Sequence, residues 1–163
     1  MDETLILLAR EVRARTLWQL DGVTDEMARF AAPGLNNSIL WHAGHALFVV
    51  EHLAIVPATG RPAALPDGWE AKFSWDSRPA TVTEWPPVAD VAAQLREQLH
   101  RLTAVLAALT PEQLAQVVDP PRTLRFSIVH GLHDEAIHQG EMYLLRKMYA
   151  KRPAAATGGA EGR

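Results

Sequence analysis

The sequence predicts an all-α protein, a four-helix bundle in which a long crossover joins the second helix to the third. Three observations predict it. Four segments carry apolar residues at spacings of three and four, with capping residues or breakers at their ends. Between the second and third lie five prolines (57, 62, 66, 79 and 86) among four large aromatics, too broken for a long helix and too apolar for a free linker. No stretch alternates apolar and polar residues over a useful strand length.

The first helix is expected over about 3–21, on Leu5, Leu8, Val12 and Leu20, with Arg10, Glu11 and Arg13 elsewhere on the turn and Gly22 at its end. Thr24, Asp25 and Glu26 cap a short turn, which Pro33 and Gly34 break. Asn36, Asn37 and Ser38 form a capping cluster for a second helix over about 37–56, which Pro57 stops. Residues 57–86 form the crossover, with Trp69, Phe73, Trp75 and Trp85 docking on the bundle. Val88, Val91, Leu95, Leu99, Leu102 and Leu106 mark a third helix over about 87–109. Thr110 and Pro111 open a further short helical turn, and Pro120-Pro121 interrupts the chain. The fourth helix follows over about 125–150, with Leu144, Leu145 and Met148 as core. One domain, 1–152, is therefore expected, followed by a tail, 153–163, without core-forming residues and expected to be disordered.

Composition narrows the function classes. A formal charge of -3 gives no electrostatic reason to expect nucleic acid or an anionic membrane as partner. The absence of cysteine excludes disulfides, thiolate metal sites and a cysteine nucleophile. The N-terminal stretch places acids before a short apolar run and arginines after it, the reverse of a secretory signal. No apolar run is read as approaching the roughly 20 residues of a membrane span, so the expected compartment is the cytoplasm.

Five of the seven histidines fall in two tight groups, His42 and His45 on the second helix and His130, His133 and His138 on the fourth. At about 100° per residue, positions 130, 134, 138 and 141 form one stripe, flanked by His133 and Glu135. Asp134 and His138, four apart, can point at one ion from adjacent turns. His133 and His138 diverge by about 140° on a regular helix and could share an ion only across a π-bulge. A bundle metal site needs donors from a facing helix, and His42 and His45 can supply them, with Gly44 allowing close approach of a neighbour. His52 has no such company and reads as a partly exposed helix residue.

Residues 37–45, Asn-Ser-Ile-Leu-Trp-His-Ala-Gly-His, resemble the second-helix signature of the DinB/YfiT-like family, where a ligand histidine follows the tryptophan by four. Residues 134–141, Asp-Glu-Ala-Ile-His-Gln-Gly-Glu, are similar to its fourth-helix signature, and residues 68–73, Gly-Trp-Glu-Ala-Lys-Phe, to its crossover. The resemblance implies an up-down-down-up bundle, commonly a homodimer, holding zinc, nickel or another divalent ion. Carried over, it makes His45, Asp134 and His138 the ligands, with Asp at 134 replacing the usual His and Glu141 replacing Gln. Two histidines and a carboxylate suit zinc and equally non-haem iron. The implied activity is thiol S-transfer with a low-molecular-weight thiol such as bacillithiol or mycothiol, or a related transfer; a non-catalytic metal-binding or stress-related protein is the alternative. Glu141 is a candidate for orienting a ligand, and His42 and His133 for moving protons.

Overall fold

The computed structural model describes residues 2–152. The tail expected to be disordered, 153–163, lies outside the described residues. Helix α1 runs Glu3–Leu20, opened by the Asp2 carboxylate, which accepts from the Leu5 amide at 3.1 Å. A single turn, α2 (Asp25–Ala28), follows with Thr24 as its cap. The second long helix begins at Ile39 rather than 37, because Ser38 and not Asn36 caps it: its hydroxyl accepts from the Trp41 amide at 3.2 Å.

That helix also runs further than expected, and Pro57 does not stop it. It continues as α3 (Ile39–Val50), a π turn over Glu51–Ile55, and α4 (Val56–Thr59), ending at Gly60 with φ of 65°. Pro57 lacks the amide that would return to the Leu53 carbonyl. The Ser127 hydroxyl donates to that carbonyl instead, at 2.6 Å. A partner from the last helix thus replaces the missing donor, and the chain stays helical for most of another turn.

The crossover holds one helical turn, α5 (Trp69–Phe73), and a 3-10 turn at Pro79–Thr81. Trp69 and Phe73 are buried as expected; Trp75 is not, remaining 56% exposed with its ring edge against Phe48, centroids 4.7 Å apart. Helix α6 (Val88–Ala108) and the turn α7 (Pro111–Leu114) come next, the latter closed by a capping box between Thr110 and Gln113. A small antiparallel hairpin, β1 (Val117–Asp119) and β2 (Arg122–Thr123), surrounds the two prolines; it is too short for alternation to betray it. Helix α8 then spans Leu124–Ala150 without interruption.

The four long helices bury two apolar clusters. One gathers Ile39, Leu47, Phe73, Leu95, Met142 and Leu145; the other gathers Leu5, Val50, Leu102, Leu106, Ile128 and Leu132. On every long helix a buried polar residue stands between the two: Arg13 on α1, Glu51 on the second, Gln98 on α6, Glu135 on α8. Arg13 was expected on an outer face, and it is 1% exposed. Its guanidinium holds both Glu135 oxygens, at 2.8 and 3.0 Å, and donates to the Leu95 carbonyl and to Gln98 Oε1. Gln98 donates in turn to the Leu47 carbonyl and to Glu51, which Arg101 grips with two bonds of 2.9 Å. Every buried charge in this layer has an opposite charge and further hydrogen bonds, the condition for burying ions at all. Leu144, assigned to the core from spacing, instead faces out at 51% exposure.

The segment Ile39–Thr59, with mean hydropathy 1.5 over its most apolar window, is long and apolar enough to cross a membrane, contrary to the reading that no run approaches this length. In the fold, 83% of that window is buried among the other helices, so its apolar character is that of the central helix of the bundle.

The polar layer makes stability depend on pH. Burial raises the Glu51 carboxyl, but Arg101, Gln98 and the Ala64 amide outweigh it and hold it below its ordinary value of 4.5. A carboxylate depressed in the folded state contributes stability above its unfolded value and loses it as pH falls through the folded one. Urea unfolding from pH 7 to 3 is expected to show wild type exceeding Glu51→Gln in stability at neutral pH. The gap should narrow as pH falls below about 4.5.

Candidate metal centre

Helix α3 presents His42 and His45 one turn apart, and α8 packs against it with Asp134, His138 and Glu141 on its facing side. His45 is buried; its Nδ1 lies 2.6 Å from the Phe73 carbonyl, which can only accept, so the ring proton sits on Nδ1. Its Nε2 lone pair is thereby turned toward Asp134, 3.9 Å from Oδ1. The other face of the ring stacks on Trp41, centroids 4.5 Å apart and planes within 13°.

His138 is oriented in the same way from its own helix. Its Nδ1 lies 2.8 Å from Glu141 Oε2, and its Nε2 lies 3.3 Å from Asp134 Oδ1. That Asp134 oxygen is buried and makes no hydrogen bond. Three donor atoms, His45 Nε2, Asp134 Oδ1 and His138 Nε2, lie within 4.8 Å of one another. Ligands about 2.1 Å from one tetrahedral ion stand roughly 3.4 Å apart, so the observed spacings need little adjustment. Two imidazole nitrogens and a carboxylate oxygen converge here, a donor set of the kind that can hold a divalent ion.

Neighbouring charges and burial pull these groups in opposite directions. Burial opposes charge on Asp134, yet the facing His138 and His45 hold its carboxyl below its ordinary value. Burial likewise works against a charged His138, but Asp134 and Glu141 on either side outweigh it and raise it. His45 is lowered, chiefly by burial, and stays neutral.

A second group shares the His138 ring from its other side. His42 Nδ1 lies 2.9 Å from His138 Nδ1 and 3.0 Å from Glu141 Oε2. Burial, with the nearby His138 and His45, pushes His42 down to about 3, so it is a neutral imidazole at physiological pH. These three could also gather around an ion. Glu141, however, already takes the Nδ1 proton that gives His138 its orientation, and outer carboxylates of this kind fix the tautomer of ligand histidines.

His133 joins neither group. It is exposed on α8, which is continuous α-helix through 133–138, so the divergence expected of a regular helix holds. The π turn that would have brought it in occurs on the other helix, at Glu51–Ile55. His130 is also exposed, its ring stacked with Phe126 at 5.9 Å. His52, half-buried, stands 3.3 Å from Glu70 without the alignment of a hydrogen bond. The sequence reading missed Phe73 as the group that orients His45, since a backbone carbonyl carries no side-chain signature. Glu135 was read as a flanking residue of the histidine stripe, and it is fully buried, paired with Arg13. Counting 124, 128, 131, 135, 142 and 145 as one stripe would have found it.

Gly44 is where the crossover meets the site. A Cβ there would fall 2.3 Å from the Phe73 ring, which is fully buried and has nowhere to move. Gly44→Ala is therefore expected to cost about 1–3 kcal/mol in denaturant unfolding. It should also weaken zinc binding, because displacing Phe73 moves the carbonyl that orients His45. Unchanged zinc affinity in a destabilised Gly44→Ala protein would separate Phe73 from the site.

A family model described as the DinB superfamily matches residues 8–142. Among solved structures, a crystal structure of a conserved protein from Enterococcus faecalis is similar, with a TM-score of 0.64 and 22% identity, over 92% of this chain and 97% of that one. At this identity the likeness is one of fold. No curated protein matches the sequence.

Proposed function

Because this chain belongs to the DinB superfamily, we propose that it is a divalent-metal-dependent enzyme, with zinc, nickel or iron held by His45, Asp134 and His138. The reaction we assign is transfer to or from a low-molecular-weight thiol of the bacillithiol or mycothiol kind. The observation that carries the metal assignment is the buried Asp134 oxygen without a hydrogen bond, facing two imidazole nitrogens whose far sides are tied to acceptors. Three protein donors leave coordination positions free, the form of a catalytic and not a structural site.

A divalent ion there supplies a Lewis acid that lowers the pKa of a bound water or thiol. The protein's own groups do the rest. Asp134 offsets the charge of the ion, Glu141 keeps His138 in the ligating tautomer, and the Phe73 carbonyl does the same for His45. Neutral His42 stands beside the His138–Glu141 contact, its Nδ1 2.9 Å from His138 Nδ1 and 3.0 Å from Glu141 Oε2, and helps hold that pair in place. A cleft of ≈ 160 Å³ lined by Leu35, Asn36, Asn37, His42 and Glu141 opens beside this pair. Ligand pockets usually offer about 300–1,000 Å³, so this cleft has room for one end of a small molecule only. A reduced thiol as co-substrate fits the cytoplasm.

The test is a conjugation assay with bacillithiol, mycothiol and glutathione against a chlorinated aromatic acceptor, on protein loaded with zinc, nickel or iron(II). In the expected reaction the sulfur bonds to the ring carbon, the carbon–chlorine bond breaks, chloride leaves, and the thiol proton goes to solvent. Turnover with one of the thiols, abolished by His45→Ala, supports the proposal. Metal-loaded protein without turnover points to a non-catalytic metal-binding bundle.

A further inference from the structure

Helix α8 carries apolar residues on two sides. Leu124, Ile128, Leu132, Met142 and Leu145 face the core, while Phe126, Val129, Ile137 and Leu144 are 41–52% exposed. Turned by about half a revolution, the helix would still present an apolar stripe to the bundle, so hydrophobic patterning alone leaves its rotation poorly specified. The site depends on that rotation. Asp134 and Glu135 are neighbours, about 100° apart, and a rotation of one residue would exchange the carboxylate inside the core for the one at the metal centre.

We infer that the Arg13–Glu135 pair, braced by Gln98 and Thr16, is a positioning device that sets the rotation of α8 so that Asp134 and His138 face His45. Glu135 sits in the middle of the buried stripe, 0% exposed, where an apolar side chain would pack at no electrostatic cost. Stability does not explain it: a buried ion pair is often matched or exceeded by apolar residues of similar volume. Geometry does. Arg13 holds both Glu135 oxygens in a planar fork, which fixes direction as well as distance, and the Thr16 hydroxyl adds a third bond at 2.6 Å. The fork is itself fixed by the Leu95 carbonyl and by Gln98, so α1 and α6 both set it. One turn further along α8, Gln139 donates to the Val12 carbonyl and to Thr16 Oγ1, tying a second point of the helix to α1. The device selects the buried acid by its partner: Arg13 takes Glu135, and the shorter Asp134 is left for the ion.

The metal readout of the following test rests on the metal assignment above; the ring readout does not. Compare wild type with Arg13→Met/Glu135→Leu, which replaces the pair by apolar residues, and with Thr16→Val, which removes the hydroxyl's bonds to Glu135 and from Gln139 at constant shape. Measure the unfolding midpoint, cobalt(II) affinity by visible absorption, and, without metal, the proton shifts of the His138 ring, which stands edge-on to Trp41 at 5.8 Å. The double variant is expected to unfold below the wild-type midpoint by no more than the loss of the Gln98 Oε1 donor explains, bind cobalt about 10-fold or more weakly, and show His138 shifts moved toward those of a free histidine. Thr16→Val should show the same changes in smaller measure, and it decides the matter should the double variant not fold. A folded variant with wild-type cobalt affinity and wild-type ring shifts overturns the inference. Wild type that takes up no cobalt contradicts the metal assignment, while the ring shifts still decide this one.

Discussion

Asp134→Ala is expected to remove most of the protein's zinc affinity, while His133→Ala leaves it nearly intact. The Asp134 oxygen is the anionic member of the donor set, buried and without another partner, so its loss removes both a bond to the ion and the charge that offsets it. Residues that only orient a ligand cost about 10–100-fold in affinity when removed. Loss of a ligand carboxylate should exceed that range. His133 is exposed on the same helix and joins neither group of donors, so its removal changes nothing the ion touches. Zinc titrations of both variants at neutral pH check the pair. Retained affinity in Asp134→Ala together with loss in His133→Ala would reverse the assignment.

Arg13→Ala is expected to destabilise the fold by about 3–5 kcal/mol, the usual effect of removing one partner of a buried ion pair. Glu135 would be left charged at 0% exposure, with Thr16 as its remaining donor, and Gln98 would lose the guanidinium it accepts from. Against a typical total of about 5–15 kcal/mol, such a loss brings the protein near its unfolding threshold. Equilibrium denaturation in urea measures it. A loss below about 1 kcal/mol would mean that water reaches Glu135, and that the layer is less closed than its burial indicates.

The four helices were legible because the signals that make them are local. Apolar spacing, the Ser38 and Thr110 caps and the stop at Gly22 all act within a turn or two of chain. Pro57 misled for the opposite reason: the group that compensates for its missing amide is Ser127, distant in sequence. Arg13 was read as lying off the apolar stripe and Glu135 as flanking the histidines, since a charge betrays its burial only through a partner, and these partners lie on different helices. Leu144 was placed in the core because two stripes of α8 satisfy the same spacing. The pair Asp134 and His138 was legible from the helical period. His45 Nε2 as the third donor was not legible from side chains alone, because the Phe73 carbonyl selects its tautomer.

The central claim is that one divalent ion sits among His45 Nε2, Asp134 Oδ1 and His138 Nε2. Anomalous diffraction at the zinc edge, on crystals of the wild-type protein grown with zinc, tests it most directly. The account predicts one strong peak between α3 and α8, within about 2.0–2.2 Å of those three atoms. A peak on the opposite side of the His138 ring, bound by His42 Nδ1, His138 Nδ1 and Glu141, would contradict it.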